Sequence, residues 1–290
     1  MLFFRLLARL PLSFLHGLST FLSVVLHRLV RYRRAVIEEN LRQSFPEKTP
    51  AEIQAITKAF YLNFTDLIVE TIKLPGLAAD DLQKRMVCLN TELPMAWFQK
   101  GLPVLVMTSH TANWEWTAPS LVVQGLPSDS IYKTLSSPFA NDLMQIIRSR
   151  FGAVPVSMKE LPRRLVAAKN TPRLIGMVAD QVPDIPEYAH WTDFLHHDTP
   201  FYPGSERLAR SRNLPVIYAD LRRVKRGYYE LTFRPLAEPP YADLPLGSII
   251  DNYRDQLEKT IRAKPSDWLW SHKRWKHWRG KYSFLDPKLT

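Results

Sequence analysis

The sequence predicts an α/β fold, with a mostly parallel central sheet flanked by helices and, ahead of it, an apolar N-terminal helix and a helical layer. Three observations carry this. From about residue 95 onward, short buried-type strands alternate with helical stretches, the pattern of βαβ units and a parallel sheet. From Val36 to about Leu74 apolar residues recur at helical spacing without strands. Residues 1–34 differ in composition from everything that follows.

Taken in order, Met1 to Leu10 is apolar except for Arg5 and Arg9. Leu10 to Leu26 is apolar or small apart from His16, and Arg28, Arg31, Arg33 and Arg34 follow. The run is marginal for a bilayer span, which takes roughly 20 apolar residues. It lacks a small-x-small cleavage site, which disfavours a signal peptide. Two readings remain: a buried first helix, or a membrane anchor over residues 1–30 with its basic rim on anionic headgroups. We expect the anchor, and the C-terminal placement of the heavier arginine cluster puts the rest of the chain in the cytoplasm.

Residues 31–290 then form one expected catalytic unit, with a helical layer over 31–90 and an α/β core over 95–290. In the layer, Leu41 and Phe45 mark one helix, and Ile53, Ile56, Phe60, Phe64, Leu67 and Ile68 a second. Pro46 and Pro50 separate them, Thr49 is a candidate N-cap, and Pro75-Gly76 closes the layer. In the core, strands are expected at Val104–Met107, Ser130–Thr134, Val154–Val156, Leu174–Val178, Pro215–Leu221 and Tyr229–Phe233. Helices are expected at Trp114–Val123, Phe139–Arg150, Leu161–Ala168 and Ser205–Arg212, with Ile249, Ile250, Tyr253, Leu257 and Ile261 on one face of a late helix.

Composition narrows the function classes. Ten glycines against 23 prolines favour stiff loops over glycine-rich phosphate cradles. The single cysteine, Cys88, forms no intrachain disulfide and suits a reducing compartment. A net charge of +11 suits nucleic acid, an anionic membrane surface or an acidic carrier protein.

Ligands in open α/β sheets sit at the carboxyl ends of strands, which directs attention to Thr108-Ser109-His110-Thr111-Ala112-Asn113-Trp114-Glu115-Trp116. His110 leaves a strand, and histidine takes protons near neutral pH. A carboxylate beside it fixes its tautomer. On one continuous helix, positions five apart diverge by roughly 140°, so pairing His110 with Glu115 requires His110 to precede the helix. Spacing alone also arises by chance.

The block His110-x4-Glu115, with Asn113-Trp114 inside it, resembles the catalytic motif of the bacterial lipid A secondary (lauroyl and myristoyl) acyltransferases. These belong to the wider glycerolipid acyltransferase superfamily. Other blocks follow in that family's order. Arg33-Arg34 through Asn40-Leu41-Arg42-x-x-Phe45-Pro46 resembles its basic N-terminal block. Tyr132-Lys133, Pro138 and Arg148-x-Arg150-Phe151-Gly152 resemble its second, and Asp180-Gln181 its third. Leu208-Ala209-Arg210 before Leu214-Pro215-Val216, and Trp270-x-His272-x-Arg274-Trp275-Lys276, match the remaining two. The chain departs from the family at Tyr132-Lys133-Thr134, usually Tyr-Arg-Pro, and at Asp193–Pro200, where Phe-Phe-Gly is usual. Both departures bear on acceptor and chain length.

The resemblance implies a glycerolipid-acyltransferase-like fold and transfer of a fatty acyl chain from a thioester, on acyl carrier protein or coenzyme A, to a lipid hydroxyl. The thioester is a co-substrate, and no cofactor is implied. The implied acceptor is a lipid A precursor, with a lysophospholipid, glycolipid or aminolipid as the alternative, and the implied location is the cytoplasmic face of the inner membrane. His110 would be the base, Glu115 its orienting partner and Arg148 the oxyanion donor, with Lys133 and Arg150 next in line. These cations equally suit phosphate binding. Asn113, Lys133, Arg150 and Asp180 are the expected substrate-binding residues, and Asp180 also reads as a structural carboxylate.

Two rival readings are weaker. His196-His197-Asp198 lacks a ligand-spaced partner, so no metal site is expected. Trp268, Trp270, Trp275 and Trp278 with Lys273, Arg274, Lys276 and Arg279 could form a nucleic-acid or basic membrane-surface protein's binding face. Without a nucleic-acid motif the membrane is favoured, and no nucleic-acid partner is expected.

Overall fold

The computed structural model describes residues 2–169 and 171–282; residues 283–290 of the expected catalytic unit lie outside the described residues. The chain opens with α1 (Leu2–Arg9) and α2 (Leu12–Val24), the latter running into a π-helical stretch, Val25–Leu29. Next come α3 (Arg34–Ser44), α4 (Pro50–Lys73), α5 (Ala79–Arg85), β1 (Met86–Leu89) and α6 (Glu92–Phe98). The core continues through β2 (Val104–Thr108), α7 (Thr117–Val123), β3 (Ser128–Tyr132), α8 (Pro138–Arg148), β4 (Val154–Ser157), α9 (Leu161–Ala167) and β5 (Leu174–Val178). It closes with β6 (His190–Phe194), β7 (His197–Phe201), α10 (Gly204–Arg212), β8 (Val216–Lys225), β9 (Tyr228–Ala237) and α11 (Ser248–Ala263).

Seven strands form one sheet in the order β1-β9-β8-β2-β5-β3-β4, and every neighbouring pair is parallel except β8 with β9. β2 is central, and all five of its residues are buried. A strand covered on both faces needs an unbroken apolar run, which Val104–Met107 supplies. Alternate side chains serve opposite cores. Leu105 and Met107 pack with Ile175, Tyr218, Tyr253 and Leu257, whereas Val104 and Val106 join Ile217, Ala219, Trp116 and Phe233. Each such aliphatic side chain contributes roughly 1.5–3 kcal/mol on burial.

The long helix α4 starts where Thr49 and Glu52 form a reciprocal capping box, with Pro50 in the first turn. Its central residues are unusual for a buried helix face, because Thr65, Asp66 and Glu70 are buried alongside Leu67 and Val69. α2 lies against this face. Leu12 and Leu15 join the core around Val69, Leu74 and Leu77, and Ser19 donates to Asp66 at 2.6 Å. The opposite side of the N-terminal segment exposes Phe3, Leu6, Phe14, Phe21, Val24, Leu29 and Val30.

The sequence expectations and the structure differ in instructive places. The strand expected at Ser130–Thr134 begins at Ser128 and ends at Tyr132. Met86–Leu89, inside the expected helical layer, is an edge strand beside β9. The β6–β7 hairpin was not anticipated, because its two-residue turn uses Leu195 (φ 50°) and His196 (φ 67°). Such turns normally announce themselves with Asn-Gly or Asp-Gly. Trp268 and Trp270, expected on a binding surface, are buried in the core. His196, His197 and Asp198 engage Arg262, Trp275 and Arg279 respectively.

Gly76 makes the tightest backbone approach in the helical layer. A Cβ there would lie 2.0 Å from the carbonyl oxygen of Ala8, the same oxygen that accepts from the Lys73 ammonium at 2.8 Å. Gly76→Ala should therefore lift α1 from α4 at a cost of about 1–3 kcal/mol. Hydrogen exchange over residues 2–10 should rise, and unchanged protection there would contradict this packing.

Candidate active site

β2 and β5 are hydrogen-bonded neighbours in a register that sets Thr108 opposite Val178. Two residues beyond each, His110 and Asp180 emerge side by side at the carboxyl edge of the sheet. The Asp180 carboxylate accepts His110 Nδ1 at 2.6 Å on Oδ1, and the His110 backbone N–H at 2.9 Å on Oδ2. Trp268 Nε1 donates to the same Oδ2 at 2.7 Å. Burial alone pushes this carboxyl upward, but the His110 charge and the hydrogen bonds from His110 and Trp268 more than offset it and hold Asp180 below the usual carboxylate range. Asp180 is 1% exposed, whereas the His110 side chain is 18% exposed. With Nδ1 committed to an anion, Nε2 carries the lone pair, and the Gln181 amide sits 3.2 Å from it.

Glu115 occupies a different position from the one expected. Both ring nitrogens of His110 are already engaged, and the Glu115 carboxylate is gripped by Arg148, Nε to Oε2 at 2.8 Å and Nη2 to Oε1 at 2.7 Å. The orienting partner of His110 is therefore Asp180, and Glu115 is the anchor of Arg148. The helix expected to begin at Trp114 starts only at Thr117, after a single 3-10 turn, Trp114–Trp116. That delay turns Glu115 toward α8. Burial would lower the Arg148 guanidinium, but the Glu115 bonds and charge raise it above its ordinary value. Arg148 also lies 5.6 Å from the centre of the Tyr132 ring. Its Nη1 has no partner among the described residues.

Trp114 joins the two pairs. Its ring meets that of His110 edge-on at 5.0 Å, and its Nε1 donates to Glu115 at 3.1 Å. The loop between is irregular, with Ala112 in the left-handed region at φ 50°, and the C-terminal segment pins it. Ala112 N–H donates to Asp267 O at 2.8 Å, and Leu269 N–H donates to His110 O at 3.1 Å. Nearby, burial and then the Arg274 charge push His272 down to about 4, so it stays neutral and accepts the Val182 N–H at 3.2 Å. Arg274 is fully buried, and burial lowers it to about 10 against the opposing pull of Asp180.

The expected substrate-binding residues separate. Asn113 and Asp180, expected to bind substrate, are buried and hydrogen-bonded to protein partners. Asn113 Oδ1 caps Trp116 N–H at 3.2 Å, and its Nδ2 donates to Glu70 at 2.7 Å. Lys133 is exposed and paired with Asp184 at 2.7 Å, while Arg150 is exposed and stacks on Phe151 at 4.3 Å. Cys88 is no nucleophile at neutral pH, because burial pushes its thiol up to about 12. Sequence reading missed Trp268, Gln181 and Glu70 as parts of the site. The signal for Asp180 was present, since it stands two residues past a strand end as His110 does.

Asp180→Asn leaves the shape but lets the imidazole adopt the other tautomer. It should lower turnover by on the order of 10³–10⁴-fold with the fold retained. Glu115→Gln should cost less, because it loosens Arg148 and leaves the base oriented. Equal losses, or a greater loss for Glu115→Gln, would contradict this division of roles.

A family model of bacterial lipid A biosynthesis acyltransferases matches residues 1–277. A lipid A biosynthesis acyltransferase of Haemophilus influenzae is 21% identical over 274 residues, covering 92% of this chain and 83% of that one. With the family model spanning nearly all of the chain and His110, Glu115, Arg148 and Asp180 inside the match, the chain belongs to the bacterial lipid A biosynthesis acyltransferases and is an acyltransferase.

Proposed function

We propose that the chain moves a fatty acyl group from a thioester, carried by acyl carrier protein, to a hydroxyl of a lipid A precursor, with His110 as general base. The observation that supports this most is the state of His110: Nδ1 bound to a buried anion and Nε2 free of any charged partner, 3.2 Å from a displaceable amide. An acceptor hydroxyl taking the place of the Gln181 amide would lie within reach of that lone pair. His110 Nε2 removes the hydroxyl proton as the oxygen bonds to the thioester carbonyl carbon. The carbon–sulfur bond then breaks, and the imidazolium returns its proton to the leaving thiolate. Asp180 stays ionised throughout and stabilises the imidazolium.

The tetrahedral intermediate places negative charge on the former carbonyl oxygen. Arg148 supports an oxyanion role because Glu115 fixes two of its nitrogens and leaves Nη1 as a further donor. A lysine keeps the charge and loses the fork.

We also read the N-terminal segment as the seat on the cytoplasmic face of the inner membrane. Leu12–Leu29 is long and apolar enough to cross a bilayer by length and composition. Its inward side, however, is fixed to α4 through His16 and Ser19, while the outward side presents Phe14, Phe21, Val24 and Leu29. That division suits a helix lying in the interface, with Arg5, Arg9, Arg28 and Arg31 among the headgroups.

Purified enzyme offered acyl carrier protein and coenzyme A thioesters, with lipid A precursor or lysophospholipid as acceptor, tests the reading by mass spectrometry of products. Transfer to the lipid A precursor from the carrier thioester is expected; transfer only to lysophospholipid would overturn the acceptor. His110→Ala should lose at least about 10²–10⁴-fold in turnover with the fold intact, and near-wild-type transfer would end the proposal. Arg148→Lys should lower kcat by about 10²–10³-fold at little change in KM. A raised KM with kcat preserved would reassign Arg148 to phosphate binding.

A further inference from the structure

Beneath the site, one buried carboxylate collects donors from three separate parts of the chain. Glu70, in the middle of α4, is completely buried. Its Oε1 meets His16 Nε2 of α2 at 2.8 Å. Its Oε2 accepts Asn113 Nδ2 at 2.7 Å and the Tyr229 hydroxyl at 2.6 Å. Its backbone oxygen accepts Trp116 Nε1 at 3.0 Å. Burial and then the Glu70 charge push the Tyr229 phenol well above its ordinary value, which keeps that hydroxyl a donor.

We propose that Glu70 is a positioning residue for acyl transfer: it seats the 110–116 loop, and with it Trp114, against α2 and α4 so that His110 and Arg148 face one reacting centre. The inference rests on the assignment of His110 as base made above. Two of the bonds that hold the irregular loop, through Asn113 and Trp116, end on this single residue. Trp114 lies between those two anchors and touches both His110 and Glu115. A shift of Asn113 therefore moves the His110 ring contact and the Arg148 anchor together. Misplacing reacting groups by about 1 Å can cost about 10²-fold in rate. The His16 bond makes the helix expected to meet the lipid surface part of the same scaffold.

The chemistry of the contact supplies a decisive exchange. Asn113 gives Glu70 an N–H and keeps its own oxygen for Trp116 N–H. Glu70→Gln has one amide oxygen for these donors: turned toward Asn113 and Tyr229 it takes the acceptor from His16, and turned toward His16 it sets an N–H against Asn113 and takes the acceptor from Tyr229. Asn113→Asp sets two carboxylates together in a buried site. Combining them restores the bond in reverse: the amide at position 70 donates one N–H to the carboxylate at 113, whose other oxygen still accepts Trp116 N–H; its second N–H meets the Tyr229 hydroxyl, which turns to accept it, and the remaining amide oxygen keeps His16.

The test uses the full chain in detergent micelles, with kcat, KM and thermal midpoint measured for both single variants, the double variant and His110→Ala. Each single change should lower kcat by about 10²-fold at little change in KM, and the double variant should recover most of that loss. A carboxylate that merely stabilises the fold would lower the thermal midpoint while folded enzyme kept its kcat, and that result would overturn the proposal. Loss of kcat in the singles with no recovery in a folded double variant would overturn it as well. Should Glu70→Gln or the double variant not fold, Asn113→Ala decides, since it removes the contact without a charge conflict: lowered kcat at unchanged KM supports the proposal, and full kcat overturns it. Activity retained by His110→Ala would instead strike the underlying assignment, so the two failures are distinguishable.

Discussion

A carboxylate cannot be buried at the edge of a sheet without full compensation, and the active region is organised around that requirement at Asp180. Its two oxygens take a ring nitrogen and a backbone N–H from His110 and an indole N–H from Trp268. An uncompensated buried charge costs several kcal/mol, so these partners have little freedom to leave. The strand that delivers His110, the strand that delivers Asp180 and the C-terminal segment that delivers Trp268 are thereby held to one another. Arg274, buried and lowered by burial, adds a positive charge that interacts with Asp180. His110, the base in the proposed reaction, is consequently fixed in direction before any substrate arrives, which is where electrostatic preorganisation takes its effect.

A second ionic layer extends the constraint to the N-terminus. Asp66 receives Ser19, Arg223 and Arg226, one helical turn before Glu70 receives His16, Asn113 and Tyr229. α4 thus carries polar groups on the side that an ordinary amphipathic helix would make apolar. α2 meets it with His16 and Ser19 beside the buried Leu12 and Leu15, and turns Phe14, Phe21 and Val24 outward. The pair thereby joins an apolar outer surface to an ionic interior within a single helix diameter.

Much of this was legible in the sequence. The strands at Val104 and Leu174, the Thr49 cap, the break at Pro46 and Pro50, the late helix on Tyr253 and Leu257, and the placement of His110 after a strand all follow from periodicity and turn chemistry. The orienting carboxylate was not legible as such. Glu115 is close in sequence and Asp180 is 70 residues away, and only the β2–β5 register makes them compete for His110. The delayed start of α7 is equally hidden, because Ala112 adopts a left-handed conformation with no glycine or asparagine to signal it. The tryptophan cluster misled for a related reason: aromatics beside cations suit a membrane surface, but Trp268 and Trp270 are buried and donate their indole N–H groups to Asp180 and the Pro265 carbonyl.

The central claim is that Asp180, and not Glu115, sets the protonation geometry of His110. Nitrogen-15 NMR of the histidine rings reads this directly, with His110 assigned through His110→Ala. In the wild-type protein and in Glu115→Gln, the neutral form of His110 should show a protonated Nδ1 and a bare Nε2, and Asp180→Asn should lose that preference. A tautomer that survives Asp180→Asn and changes in Glu115→Gln would contradict the account.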